Sequence, residues 1–493
     1  MAETLSVASL NENVELSDFE KLINQEFKPQ SDETQKAIQG AVKTLLGQAL
    51  ENVALVSTDI IATIQGIIAE LDKKLSEQIN LIIHDPEFEQ LESAWRGLDY
   101  LVRNTPTSES LKIKVLNISK ADVGKTIKRY KGTAWDQSPL FKKIYEEEFG
   151  TAGGEPFGAL IGDFYFNHSP QDIEILRGIA QIAAASHAPF ISSVDPSLLN
   201  LSSWQELANP RDIAKIFSTP EYQAWRGFRE SDDSRYVALT LPRVLGRSPY
   251  GANTNPVEEF DFEEDTGTGD NEKYNWVNAA YALGSVVNRS FANYGWCANI
   301  RGVESGGIVE GLPTHSFPAD DGGTVAKCPT EIAITDRREA ELSASGLLPL
   351  IHWKNTDYAV FLGGQTANKP TEYDSADATA NASLSARLPY IFAASRFSHF
   401  LKCIVRDKIG SFAERADMEA FLTKWINQYV TADPHASEEV KAKFPLAEAK
   451  VEVVEVEGAP GYYAARFYLR PHYQLEGLTA SLRLVTKVPS GAK

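Results

Sequence analysis

The clearest period-two pattern lies near the end of the chain. From Lys450 to Glu457 apolar and acidic residues alternate, with Val451, Val453 and Val456 apolar and the phase slipping at Val453-Val454. Gly458-Ala-Pro-Gly461 reads as a turn. Tyr463, Ala465, Phe467 and Leu469 then share one face, and Ala464, Arg466, Tyr468 and Arg470 the other. Beyond Pro471, Leu478, Ala480, Leu482 and Leu484 fall on one face of a third strand. Alternation between Gly/Pro turns predicts strands. Three short strands leave two sheet edges, and an edge pairs with another chain unless it is covered. The pattern alone leaves open an ordinary terminal sheet that closes its own domain.

Helical spacing dominates the other end. Leu16, Phe19, Leu22, Ile23 and Phe27 form one stripe that Pro29 ends, and Ser17 is placed to cap it. A helix of about twelve residues is marginal in water by itself. It either docks on its own domain or lies in a partner's groove. A second helical stretch covers residues 33–51. Asn52 to Asp59, with β-branched Val53 and Val56, reads as a short extended linker. From Ile60 an amphipathic helix continues through Ile64, Ile67, Ile68, Leu71, Leu75, Ile79 and Ile82. Asp85-Pro86 opens another, with Phe88, Leu91, Trp95, Leu98 and Leu101 expected on its buried face.

The middle of the chain mixes both periods. Residues 111–118 alternate as a strand, and a helix is expected after Ala121. Residues 159–166 and 189–194 read as buried strands around a helix over 172–187. That order favours a parallel unit in a three-layer sandwich. Further strands are expected at 236–245 and 331–335, and helices at 274–288, 382–410 and 418–429. The predicted fold class is therefore mixed α/β, with a helical N-terminal arm over residues 1–59, a helical and α/β middle domain over 60–375 and a C-terminal domain over 376–493.

Composition narrows the function. A chain of 493 residues with 43% hydrophobic content can bury several cores. A net charge of −19 repels phosphates and tells against nucleic-acid binding. Three cysteines without a CxxC pair tell against a disulfide framework or structural zinc. No apolar run approaches the roughly 20 residues of a membrane span, so no membrane insertion is expected and a cytosolic protein is.

Candidate chemistry adds little. The acidic loop Asp261, Glu263, Glu264, Asp265, Asp270 and Glu272 does not match a calcium loop and reads as a solvated segment. Ser119 to Thr126 lacks the first glycine of a phosphate loop. Glu304-Ser305-Gly306-Gly307 is not a nucleophile elbow. The eight histidines show no metal-binding pairing. No catalytic, cofactor or metal residues are assigned, and a structural role is favoured. A hydrolase using the glycine-bearing region 302–327 is the alternative from another class.

Read in order, several motifs resemble one family. They are His84-Asp-Pro-Glu-Phe88, Leu91-Glu-Ser-Ala-Trp-Arg-Gly-Leu98, Gly158-Ala-Leu-Ile-Gly-Asp163, His187-Ala-Pro-Phe190 and Tyr236-Val-Ala-Leu-Thr-Leu-Pro-Arg243. Tyr294-Gly-Trp-Cys297, Ile300-Arg-Gly302, Gly311-Leu-Pro313, Pro329-Thr-Glu-Ile332, Leu388-Pro-Tyr-Ile391, Arg396-Phe-Ser-His399 and Tyr468-Leu-Arg-Pro-His472 follow. The chain resembles the large subunit of the type VI secretion contractile sheath (TssC or VipB) over residues 84–486. The resemblance implies a phage-tail-sheath-like C-terminal domain whose sheet is completed by partner strands. It also implies a small sheath subunit (TssB or VipA), hexameric rings of heterodimers around the Hcp inner tube, a baseplate, and recycling by the ClpV AAA+ unfoldase. Under it the helix with Leu16, Phe19, Leu22, Ile23 and Phe27 is the unfoldase handle. Asn52, Val53, Val56 and Asp59 lie in an inter-protomer linker. Val451, Val453, Val456, Tyr463, Phe467, Leu469, Leu482 and Leu484 lie on subunit-interface strands. The absence of a cofactor fits such a role, and a phage-like sheath built from one subunit is the second alternative.

Overall fold

The computed structural model describes residues 60–209, 212–258, 260–267, 269–318, 322–354, 356–408, 415–455 and 463–472, with single positions 36, 40 and 474. The handle, the helical stretch 33–51, the linker and the third C-terminal strand lie outside the described residues. The chain divides into two compact units, Met1–Asp85 with Pro249–Asp265, and Pro86–Ser248 with Thr266–Lys493.

In the first unit the amphipathic spacing produces helix α1 (Ile60–Ile83). The Asn80 carboxamide near its end fastens the loop 249–265, donating to the Glu263 carbonyl at 3.2 Å and accepting from Asp265 N at 2.8 Å. Glu263 accepts from Ala252 N at 3.0 Å and Glu264 from Tyr250 N at 2.8 Å. The acidic loop is therefore not simply solvated. Its carboxylates satisfy backbone donors of the same loop, and Glu264 is buried. Along α1, Ile68, Leu75, Leu81 and Ile82 remain exposed.

The second unit is built on a six-stranded sheet. Its strands are β1 (Leu160–Phe166), β2 (Phe190–Val194), β3 (Val237–Leu241), β4 (Ile308–Val309), β5 (Leu348–His352) and β6 (Ala359–Phe361), in spatial order β1-β2-β3-β5-β6-β4. The first three pairings are parallel, and β6 runs antiparallel to both β5 and β4. Helices α2 (Pro86–Arg103), α3 (Lys120–Arg129), α4 (Pro170–Ser186), α5 (Ala279–Tyr294) and α6 (Asp336–Ala344) surround it. Every residue of β2 and β3 is buried because both faces are covered. On one face Ile173, Leu176 and Ile179 of α4 share a core with Phe190, Val237 and Leu239. On the other, Ala280, Leu283 and Val286 of α5 meet Ile191, Ala238 and Leu348. This is the expected three-layer arrangement. Its polar residues are satisfied: Asn278 caps α5, accepts from Ser193 Oγ at 2.6 Å and donates to the Phe164 carbonyl at 3.1 Å.

Five expectations about elements fail for identifiable reasons. Residues 111–118 form no strand; no neighbour completes a ladder, Lys112 and Lys114 pair instead with Glu155 and Glu148, and Val115 stays 67% exposed. Residues 331–335 are irregular, because the Arg243 guanidinium grips the Glu331 carboxylate through two 2.8 Å bonds. The helix expected from Tyr274 starts only at Ala279, since Trp276–Val277 pairs with Val244–Leu245. The helix over 382–410 is two helices, α7 (Ala376–Ser385) and α8 (Leu388–Lys408). On α2 the stripe of Phe88, Leu91 and Trp95 is exposed. The face that turns inward carries Gly97 and Leu101, because a Cβ at Gly97 would sit 2.3 Å from the Tyr281 ring. Strands β5 and β6 and helix α6 were not anticipated; their apolar runs are too short to show a period.

Candidate assembly edge in the C-terminal sheet

Helix α8 carries the chain from the large sheet to its C-terminal part. Leu388 and Phe392 belong to the core beneath α5, whereas Phe397 and Leu401 belong to the C-terminal core. Phe397 stacks on Trp296 with ring centroids 4.4 Å apart. The buried His399 ring holds the Ser186 carbonyl at 2.9 Å, where α4 ends. Burial lowers its pKa to about 4, so the ring is neutral. The Lys402 ammonium lies 3.6 Å above the centroid of Phe149. The Tyr390 hydroxyl donates to the His472 carbonyl at 2.9 Å.

The C-terminal sheet has two described strands, β7 (Leu446–Glu455) and β8 (Tyr463–Pro471). They pair antiparallel, Val451 opposite Phe467 and Val453 opposite Ala465. The ladder is continuous through Val453-Val454, and the irregularity lies between Leu446 and Glu448. The sequence slip thus changes which side chains alternate without breaking the pairing. Val451 and Val453 are buried, and Ala449, Phe467 and Leu469 pack with them against Leu422 and Ile426 of helix α9 (Arg415–Ile426). The opposite face is a charged ladder. Lys450 meets Glu452 at 2.6 Å, Arg470 meets Glu448 at 3.1 Å, and Tyr468 is half exposed. The Lys450 ammonium beside it holds the Glu452 carboxyl below the usual carboxylate range.

The two edges of this sheet differ. Val453 N points away from β8 and donates to Glu419 Oε2 at 3.1 Å. At the start of β7, Thr431 N donates to the Leu446 carbonyl at 2.9 Å. The outer edge of β7 is therefore partly occupied by its own chain. Among the described residues no strand lies beyond β8. In an antiparallel pair, backbone groups point alternately to the partner and away. Since Val453 points away, so does its opposite residue Ala465, and with it Phe467 and Leu469.

Of the predicted interface residues, Val451, Val453, Phe467 and Leu469 come together here. Their side chains face their own core, which corrects their reading as a side-chain contact surface; what β8 presents is backbone. Tyr463 opens β8 opposite Glu455. Val456, Leu482 and Leu484 lie outside the described residues, as do Leu16, Phe19, Leu22, Ile23, Phe27, Asn52, Val53, Val56 and Asp59. Glu419 and Thr431 were missed. Glu419 shares the spacing of Leu422 and Ile426, so a carboxylate on the buried stripe of α9 was the available signal.

The glycine-bearing region shows packing. Gly307 N donates to the Gly302 carbonyl at 2.8 Å, and a Cβ on Gly307 would lie 2.6 Å from the Arg301 backbone. Ser305 Oγ lies 3.4 Å from Glu438 Oε2. Among the described residues no group of three or more His, Cys, Asp or Glu is placed to hold a metal ion, and no helix is long and apolar enough to cross a membrane.

Comparison with known proteins decides the family. Residues 65–368 match the tail sheath N-terminal domain of EvpB/VC_A0108, and residues 377–488 its tail sheath gpW/gp25-like domain. The chain belongs to the EvpB/VC_A0108 tail sheath family. Within it, the chain is 62% identical over 475 residues to the type VI secretion system sheath protein TssC1 of Pseudomonas aeruginosa, covering 96% of this chain and 95% of that one. This tail sheath protein also overlaps in part with solved contractile particles. One is the anti-feeding prophage baseplate, at 12% identity and TM-score 0.36, over 79% of this chain and 86% of that one. Another is the PVC sheath complex in its contracted state, at 9% identity and TM-score 0.34, over 63% and 68%.

Proposed function

We propose that the chain is the large subunit of a type VI secretion contractile sheath in the bacterial cytoplasm. It co-assembles with the small sheath subunit, forms hexameric rings on a baseplate around the Hcp tube, and contracts to propel that tube. The observation that carries this is the asymmetry of the C-terminal sheet. One edge is occupied by Glu419 and Thr431, and the other, β8, has no described neighbour. A twisted pair of strands with one covered face is a platform for an added strand, whose main-chain bonds supply affinity. Work then comes from two packings of the same subunits, and no catalytic residue is required. The arm over residues 1–59, the middle domain over 60–375 and the C-terminal domain over 376–493 are part of this reading, as is the Leu16–Phe27 handle for ClpV.

Co-expression with a small sheath subunit, followed by negative-stain microscopy, tests the reading. Tubes that need both chains are expected. Tubes from this chain alone would favour a one-subunit phage-like sheath, and globular particles with or without the partner would remove the sheath reading.

A further inference from the structure

A cavity of about 370 Å³ opens between α3, the 3₁₀ turn Gly132–Gln137 and the outer side of α4, away from the C-terminal sheet. It falls within the roughly 300–1,000 Å³ of ordinary ligand pockets. Its walls are mostly apolar, with Ile127 from α3, Trp135 from the turn, and Ile173 and Ile182 from α4. Gly178 brings the two helices together, since a Cβ there would lie 2.6 Å from the Ile127 side chain. Trp135 is braced edge-on against Phe141, with centroids 4.9 Å apart.

Three polar groups converge on this apolar space without a partner among the described residues: the Arg177 guanidinium, the Gln181 carboxamide and the Trp135 indole N–H. The other charges nearby are already engaged. Lys131 Nζ lies 2.5 Å from Glu174 Oε1. Arg226 donates to the carbonyls of Phe217 and Thr219 at 2.6 and 2.7 Å. Arg177 also lines an adjoining cavity of about 550 Å³ with Arg226, Gln223 and Glu230, and Glu230 makes no ion pair with it.

We propose that this pocket takes an aromatic or branched side chain of an extended partner peptide, with an adjacent carboxylate of the same peptide pairing with Arg177. A planar guanidinium in a mostly apolar setting is matched by a carboxylate, which it binds through two parallel hydrogen bonds. The Trp135 ring and the isoleucines take the apolar side chain, and Gln181 serves the peptide backbone. The two cavities meeting at Arg177 give an extended chain somewhere to continue. Because the whole chain carries a net charge of −19, recognition of an acidic peptide must be local to this spot.

Fluorescence anisotropy with the full-length chain and labelled Gly-Ser-Phe-Asp-Gly-Ser tests this. The Phe-Asp peptide should bind at least about tenfold more tightly than the Phe-Asn or Ala-Asp versions, the tenfold being what one good charge-assisted contact supplies. Arg177→Glu should lose the Phe-Asp peptide and gain the Phe-Lys version. Trp135→Ala should weaken every Phe-bearing peptide. Equal binding of Phe-Asp and Phe-Asn, an Arg177→Glu variant that keeps its preference for Phe-Asp, or no binding at all would overturn the proposal. Free N-acetylphenylalanine binding as tightly as the peptide would replace the peptide with a small carboxylate and overturn it equally.

Discussion

In the large sheet, β2 and β3 are buried at every position, with α4 above and α5 below. In the C-terminal sheet, β7 and β8 bury one face and leave the other as a ladder of opposite charges. The large sheet has layers on both sides, so its strands are apolar throughout and its stability lies in its own packing. The small sheet is covered by α8 and α9 on one side only, and its β8 edge is unpaired among the described residues. A protein that must hold its own shape while joining others benefits from that division. One sheet is closed by its own chain, and the other is left with hydrogen-bonding groups to share.

The largest expected effect breaks the closed sheet. Leu239→Ala removes a fully buried side chain from β3 and should cost about 2–5 kcal/mol. Its denaturation midpoint should fall with the slope unchanged, whether or not a partner is present.

The connection between the two regions is sensitive to acid. His399 is neutral in the folded state, its pKa lowered by burial to about 4, whereas in the unfolded chain it titrates near its ordinary value of about 6.5. Between those values the unfolded state binds the proton and the folded state does not. Stability is therefore lost as pH falls from about 6.5 toward 4, by about 3 kcal/mol at most. His399→Gln should flatten that slope in unfolding curves measured across pH 4–7, and an unchanged slope would remove His399 as its source.

Freeing the occupied edge is the next test. Glu419→Ala leaves Val453 N without its acceptor and should cost about 1 kcal/mol. It should also increase self-association through β7, read by light scattering. Smallest of all is Arg466→Ala on the charged face, expected to change stability by less than about 0.5 kcal/mol in the same unfolding assay.

Much of this division was legible in the sequence. Val451, Val453, Phe467 and Leu469 alternate because one face is wet, and the β1–α4–β2 unit announced its parallel order through strand, helix and strand at the usual spacing. Burial on α2 was not legible. Phe88, Leu91 and Trp95 make the stronger apolar stripe, yet close approach at Gly97 turns the other face inward. The strand expected over 111–118 had the right alternation and no neighbour, which a single sequence does not display. The occupied edge of β7 was hidden for a similar reason, since Glu419 lies 34 positions from Val453. A side chain capping a distant backbone N–H leaves no local pattern.

The most direct test of the account is residue-resolved hydrogen exchange along β8, in the chain alone and in tubes assembled with a small sheath subunit. In the chain alone the amides of Arg466 and Tyr468, which point to β7, should be protected, and those of Ala465, Phe467 and Leu469 should exchange rapidly. In the tubes all five should be protected, the latter three slowing by at least about a hundredfold, as expected when exposed amides enter a stable ladder. If Ala465, Phe467 and Leu469 exchange equally fast in both, no strand adds to this edge and the account of the C-terminal sheet as an assembly platform is contradicted.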